Sequence, residues 1–216
     1  MKKIASPLFQ DLSEAELDTL AAAGHLRTRQ FAKHEVIFHA GSCVREIGIV
    51  LRGSVHIENL DLWGTESILS SVGAGQAFAE TYAFCGEALM VDAVAAEHCE
   101  ILFLHTAAFT DARIEPALQD KLLRRLLAVS MRKNLSLSQR IFCTTPKTVR
   151  GRLLTYFSAQ AARCGRMAFE VPFNRQQMAD YLNLDRSALS KELCKMRDEG
   201  LLEFDKNRFV LKQLPE

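Results

Sequence analysis

The 216-residue sequence predicts an α+β protein built of three consecutive parts: an all-β sandwich or barrel, a long amphipathic helix and a winged helix-turn-helix. Three observations predict it. Gly41, Gly53, Gly64 and Gly75 recur every 11 or 12 residues among short β-prone runs. After Pro116, apolar positions fall at alternating steps of four and three. Over residues 173–211, two short capped helices precede a hairpin pattern.

Each element follows from local chemistry. Ser13-Glu14-Ala15-Glu16 is a capping box with Ser13 at N-cap and Glu16 at N3, and Leu12 and Leu17 occupy the hydrophobic-staple positions. A short helix is therefore expected to about Ala23, stopped at Gly24. From Arg27 to about Leu104 the character changes. Val36-Ile37-Phe38, Ile47–Leu51, Val55-His56-Ile57, Ile68-Leu69 and Ile101–Leu104 are apolar runs separated by turn signals. No helical segment lies between them, which excludes a parallel α/β sheet and leaves an all-β domain.

Pro116 opens the long helix. Leu123, Leu127, Ser130, Asn134, Leu137 and Ile141 form a seam about three heptads long. Such a seam packs either on the helix's own barrel or on a second copy in a parallel coiled coil. Asn134 favours the second, because a seam Asn fixes register at some cost in stability. Pro146 ends the pattern, so Thr144–Lys147 reads as a hinge, and a further helix spans about Thr148–Arg163 before Gly165.

Asn174 caps the next helix, with Gln177 at N3 and Phe173 and Met178 as the staple. After Leu182 comes a tight Asn183-Leu184 turn, and Asp185 caps a second helix over Arg186–Glu199, stopped by Gly200. At ~100° per residue, Leu189, Leu193 and Met196 share one stripe, with Ser187 and Lys191 nearly opposite and Ser190 on the flank. A recognition helix needs that division: one apolar face docked on its neighbour, and N-terminal polar residues free to enter a major groove. Arg186, Ser187, Ser190 and Lys191 are the candidate base contacts, Arg and Lys as donors to guanine and Ser to base or phosphate. Leu201–Phe204 and Arg208–Leu211 flank Asp205-Lys206-Asn207 as a hairpin wing. Lys206 and Arg208 on the wing, and Arg175 and Gln176 at the first helix's N-terminus, are candidate phosphate contacts.

Composition excludes several classes. Hydrophobic residues make up 48% and charged residues 25%, a globular ratio rather than a disordered one. No stretch reaches the roughly 18 consecutive apolar residues of a membrane span. Met1-Lys2-Lys3-Ile4 begins like a signal peptide but no apolar region follows, so a cytoplasmic protein without a membrane partner is expected. The net charge of +1 hides an asymmetry: residues 144–216 hold 13 Lys and Arg against 9 Asp and Glu, whereas residues 1–143 hold 14 against 17. A basic C-terminal part fits a nucleic-acid partner. Cys43, Cys85, Cys99, Cys143, Cys164 and Cys194 are never closer than 14 positions. They form no C-x-x-C, assign no metal site, and read as reduced thiols, mostly buried.

His39-Ala40-Gly41, Leu51-Arg52-Gly53-Ser54-Val55, Gly75-Gln76-Ala77-Phe78-Ala79-Glu80 and Arg175-Gln176-Gln177-Met178-Ala179-Asp180-Tyr181-Leu182, then Asp185-Arg186-Ser187, stand in an order and spacing that resembles the Crp/Fnr family of bacterial transcription regulators. The resemblance implies a β-roll (jelly-roll) sensor domain at 1–115, a dimerisation helix at 116–143 and a winged helix-turn-helix at 144–216. It also implies a homodimer on a palindromic operator in double-stranded DNA, a small-molecule effector, and RNA polymerase as a partner. The seam residues would then form the dimer interface. Cyclic-nucleotide members of the family carry a Gly-Glu pair and a downstream Arg-Ser pair, whose Arg neutralises the cyclic phosphate. Here Ala79 precedes Glu80, and the Arg-Ser positions fall on Leu89 and Met90. A buried phosphate without its cation is strongly disfavoured, so the expected effector is not cyclic AMP.

The candidate effector-pocket residues are Glu80, Leu89 and Met90, with Asn134 and Ser138 from the long helix. Leu89 and Met90 suggest an apolar or haem-like effector, or merely a filled core. His25, His34, His39, His56, His98 and His105 are the candidate haem ligands, although a lone strand His is more often structural. Iron–sulfur members use a tight N-terminal cysteine cluster, and no cysteine precedes Cys43, which argues against that cofactor. Family members often read a half-site with Arg, Glu and a second Arg. Here Arg186, Ser187 and Lys191 stand in those places, and Lys lacks the planar fork of Arg, which leaves the operator sequence open. No catalytic residue is assigned: a cupin-like metal enzyme needs His-x-His with a nearby Glu, and no His-x-His occurs. The remaining rival is a regulator of the same build that has lost DNA binding and takes a protein partner.

Overall fold

The structure is a computed structural model that describes residues 4–60 and 66–212. Gly64, one of the regularly spaced glycines, lies outside the described residues. Two compact units divide the chain, Met1–Arg132 and Lys133–Glu216.

In the first unit the capping box is present in both halves. The Ser13 N–H donates to Glu16 Oε2 at 2.8 Å and the Glu16 N–H to Ser13 Oγ at 3.2 Å, starting α1 (Glu14–Ala22). Two antiparallel four-stranded sheets follow. One runs β1 (Leu26–Phe31), β8 (Cys99–His105), β3 (Glu46–Arg52), β6 (Ala77–Phe78); the other runs β2 (Val36–Phe38), β7 (Asp92–Ala95), β4 (Val55–Leu60), β5 (Glu66–Val72). Phe31, Phe38, Val50, Val55, Phe78 and Phe103 form the apolar layer shared by the two sheets. A second core forms on the other face of the first sheet, where Ile47, Ile49, Leu102 and Leu104 meet Leu17 and Leu20 of α1. Strand β8 is therefore buried on both faces, which is why Ile101–Leu104 is a continuous apolar run rather than an alternating one.

Strands β1 and β7 escape the sequence reading because their patterns are not apolar runs. In β1, Arg27 and Arg29 stand outward, and Arg27 forks onto Glu46 of β3 at 2.6 and 2.5 Å. Between β6 and β7 sits α2 (Glu80–Cys85), also unpredicted; at six residues it shows too little periodicity. The cysteines correct an expectation. Only Cys99 and Cys143 are buried; Cys43, Cys85, Cys164 and Cys194 are exposed, lying in a loop, at helix ends or on an outward helix face.

Helix α3 (Pro116–Thr144) is continuous and carries two apolar stripes. Leu118, Leu122 and Leu126 are buried in the second core of the first unit. The seam is a separate stripe: Leu123 is 47% exposed, Leu127 56%, Leu137 61% and Ile141 66%. Along it Ser130 is half-buried and Asn134 exposed. The seam is thus not consumed by the chain's own core.

In the second unit Thr148 caps α4 (Val149–Cys164), which ends at Gly165 in the left-handed conformation. Helices α5 (Arg175–Leu182) and α6 (Arg186–Asp198) follow, then β10 (Leu202–Asp205) and β11 (Arg208–Leu211). Leu153 and Phe157 of α4, Met178 and Leu182 of α5, and Leu193 of α6 share one core with Phe209. The wing has a third strand that the sequence reading lacks, β9 (Ala168–Glu170), which pairs Phe169 with Phe209. Three residues are too few for alternation to show.

Gly48 in β3 makes the sandwich possible at one point. A Cβ there would lie 2.3 Å from the buried ring of Phe78 on the neighbouring β6. Gly48→Ala should cost about 1–3 kcal/mol of stability through overpacking, read as a lower urea midpoint at unchanged slope.

Candidate nucleic-acid interface

The helix-turn-helix is built by its caps. Asn174 Oδ1 accepts the Gln177 N–H at 2.9 Å, and Gln177 Oε1 accepts the Asn174 N–H at 2.9 Å. Asn183 ends α5 in the left-handed conformation, φ +52°, which a short polar side chain tolerates better than most. Asp185 starts α6 by accepting the Ala188 N–H at 2.9 Å. Leu189, Leu193 and Met196 of α6 are fully buried, so the opposite face, with Arg186, Ser187 and Lys191, is turned to solvent.

The turn between the helices is held from outside by two guanidinium groups. Arg140 of α3 donates to the Tyr181 and Asp180 carbonyls, both at 3.0 Å. Arg152 of α4 donates to the Leu182 carbonyl at 3.1 Å and the Asn183 carbonyl at 2.7 Å, and to Pro146 at 2.8 Å. Helix ends leave four carbonyls without intrahelical partners, and cations favour that end of the dipole. Arg150 of α4 fixes α6 itself, reaching Glu192 at 2.5 Å and Glu199 at 2.8 and 2.9 Å. None of these three arginines was singled out from the sequence. Their signal was faint: cations near a hinge look like an ordinary solvated surface.

The candidate contacts separate into free and engaged groups. Arg186 and Lys191 are exposed, and Ser190 is half-buried on the flank. The Ser187 hydroxyl instead donates to the capping carboxylate of Asp185, and with the Ala188 N–H this holds the Asp185 carboxyl below its usual range. Arg175 is half-buried, its guanidinium stacked 5.0 Å from the Phe204 ring and 5.1 Å from the Phe209 ring, so its first role is to tie α5 to the wing. Gln176 donates to Asp180 at 2.9 Å along its own helix. Lys206 and Arg208 are exposed on the wing, Lys206 at φ +51° in its turn. A surface pocket of about 340 Å³ brings Lys206 together with Asn174 and Arg175 at the N-terminus of α5. Wing and helix start, taken separately from the sequence, thus flank one depression.

Of the effector-pocket candidates, Glu80, Leu89 and Met90 belong to the first unit and Asn134 and Ser138 to the second. Glu80 is 5% exposed and opens α2; Ala79, before it, adopts φ +61°. Leu89 is buried in the sandwich core while its neighbour Met90 is 77% exposed, so the two do not line one wall. On α3, Ser138 Oγ donates to Asn134 Oδ1 at 3.4 Å. Several candidate haem ligands have other partners: His25 Nε2 sits 2.7 Å from Asp111, His105 Nδ1 accepts the Ala107 N–H, His39 lies 3.9 Å from Asp92, and His56 lies 3.3 Å from Glu58. His34 and His98 are exposed.

Comparison with known proteins gives two family matches. Residues 28–113 match the family profile described as a cyclic nucleotide-binding domain, and residues 151–216 match a Crp-like helix-turn-helix domain. No curated protein sequence matches the chain. Among solved structures, the Thermus thermophilus catabolite activator protein is 25% identical, with a TM-score of 0.50 over 96% of this chain and 94% of that one. FixK2 from Bradyrhizobium japonicum is 19% identical, TM-score 0.52, covering 87% and 93%. CprK in complex with OCPA is 13% identical, TM-score 0.63, covering 94% and 91%, a likeness of fold. No helix among the described residues is long and apolar enough to cross a membrane.

Replacing Arg140 with Lys leaves one donor group where a fork served two carbonyls. The substitution should lower the opening free energy of the α5 and α6 amides by about 1–2 kcal/mol in native-state hydrogen exchange.

Proposed function

This chain belongs to the Crp/Fnr family of DNA-binding transcription regulators rather than to an enzyme family, and from that premise we propose that it acts as a homodimer reading a two-fold operator under an effector other than cyclic AMP. The functional division is a sensor over residues 1–115, a dimer helix over 116–143 and a DNA-binding part over 144–216, acting in a bacterial cytoplasm with RNA polymerase as partner.

The observation that carries DNA reading is the face of α6 opposite its buried stripe. Arg186 and Lys191 stand there, exposed, on a helix whose N-terminus is capped and whose position is locked by Arg150. The cap and the lock matter because a base contact needs a fixed helix. Arg186 and Lys191 are the base-reading residues in this reading; Ser190 supports them from the flank, and Ser187 contributes mainly through the cap. Lys206 and Arg208 set the wing on phosphates, with the Gln176 backbone and the α5 N-terminus across the depression. The C-terminal part is only modestly basic, so affinity for random duplex is weak and depends on two copies binding together.

Dimerisation is supported by the seam. Leu123, Leu127, Leu137 and Ile141 are all about half exposed or more, along a continuous helix, at coiled-coil spacing. Ser130 and Asn134 lie on the same line, Asn134 as the register-setting polar residue. A parallel pair would set two recognition helices about 34–36 Å apart, one turn of DNA.

The effector reading rests on charge. Residues 79–91 contain no Lys or Arg, so no side chain of that segment neutralises a cyclic phosphate beside Glu80. Glu80 is itself buried. A neutral or apolar ligand beside Glu80 and Leu89 fits these facts better than cyclic AMP. Met90, pointing to solvent, has no part in it.

Lys191→Ala should weaken operator binding in a gel-shift titration by about 1–3 kcal/mol and relax specificity at one position of each half-site; unchanged binding would refute its role. Leu127→Glu together with Leu137→Glu should convert the dimer to monomer by light scattering after gel filtration. Calorimetric titration of the purified protein should show no micromolar binding of cyclic AMP, and a micromolar isotherm would sink the effector reading.

A further inference from the structure

We propose that the second unit carries a binding site for a small monocarboxylate between the C-terminal end of α3, the middle of α4 and the end of α5. The site is distinct from the sensor and from the recognition face of α6. A cavity of about 120 Å³ opens there, with Gln139 and Phe142 on α3, Tyr156, Gln160 and Arg163 on α4, and Tyr181 on α5 in its walls.

Tyr156 is the observation that asks for a ligand. It is 1% exposed, and its hydroxyl is the buried side-chain polar atom that has no hydrogen-bond partner among the described residues. A buried polar group left unpaired is a standing penalty, so natural proteins rarely keep one without a use. The ring cannot swing away to find a partner. It is packed among Phe157, Phe173 and Tyr181, with centroids at 5.7, 6.4 and 5.6 Å. Burial raises the phenol's pKa, so it stays protonated and offers an O–H. The groups that act on it electrostatically, Tyr181, Arg163 and Cys143, are all walls of the same cavity.

The wall chemistry selects the ligand class. Arg163 is the one charged side chain lining the cavity among the described residues. Its NH2 nitrogen donates to Gln160 Oε1 at 2.7 Å, which turns that oxygen to the guanidinium and leaves the amide NH₂ group as a donor. The polar wall is therefore rich in donors: the guanidinium, the Gln160 amide and two phenols. A group with two acceptor oxygens and a single negative charge answers that set, which is a carboxylate. Phe142 and Ala159 supply an apolar wall for a short hydrocarbon tail. A cavity of ~150 Å³ holds benzene, so this one admits about six non-hydrogen atoms.

Butyrate is the probe, with butyramide as its neutral isostere, each titrated into the full-length protein and followed by ¹H–¹⁵N NMR. Butyrate should saturate at a Kd of about 1 mM or below. It should shift the side-chain amides of Gln139 and Gln160, while butyramide binds at least tenfold more weakly. Tyr156→Phe and Arg163→Gln should each weaken butyrate at least tenfold. Ligand-free Tyr156→Phe should melt no lower than the parent, because the hydroxyl it removes makes no bond. No saturation at 10 mM, shifts mapping elsewhere, equal binding of butyramide, or unchanged affinity in Tyr156→Phe would each overturn the site. A lowered melting temperature of ligand-free Tyr156→Phe would do so as well, since it would mean that the hydroxyl serves the fold.

Discussion

Four carbonyl groups at the end of α5 govern how this protein presents its reading head. An α-helix leaves its last carbonyls without full internal partners, and here the turn itself offers these four only the Asn183 N–H, to the Asp180 carbonyl at 3.3 Å. All four of Asp180, Tyr181, Leu182 and Asn183 accept from two guanidinium groups of other helices, Arg140 and Arg152. With the carbonyls held, Asn183 can keep its left-handed conformation, Asp185 can cap α6, and Arg186 and Lys191 project from a fixed helix. The same two arginines anchor α5 to its surroundings. Arg140 belongs to the last turns of α3, and Arg152 also holds Pro146 in the hinge.

The first unit solves a different problem with the same economy of parts. Its first sheet is apolar on both faces, so one face closes the sandwich and the other receives α1 and the first half of α3. That arrangement consumes Leu118, Leu122 and Leu126 and leaves the Leu123–Ile141 seam unused. A helix needs only one stripe to dock on its own domain. The second stripe is surplus to that docking, and the proposed dimer would use it.

Much of the architecture was legible from residues alone because caps and periodicity are local. Ser13, Asn174 and Asp185 cap where their chemistry places them, and Gly24, Gly165 and Gly200 stand in the left-handed conformation just past the helices they were expected to stop. What was not legible depends on neighbours distant in sequence. Strand β1 exists because β8 pairs with it, not because of its own pattern. Arg175 is drawn under Phe204 and Phe209 by a wing some 30 residues away. Ser187 faces outward as rotation about the helix axis requires, yet its hydroxyl turns back to Asp185. Leu89 and Met90 are consecutive, and only the packed structure separates one into the core and the other into solvent. A one-dimensional pattern says which face a residue is on, but not what it touches there.

In the proposed function two copies of this chain read DNA together, with spacing set by α3 and contacts supplied by α6. Selection of bound sequences from a random duplex pool tests it most directly. An enriched inverted repeat with half-site centres about 10–10.5 base pairs apart, retained at physiological salt, is expected. Enrichment of a single unpaired half-site, or no enrichment over random duplex, would contradict it.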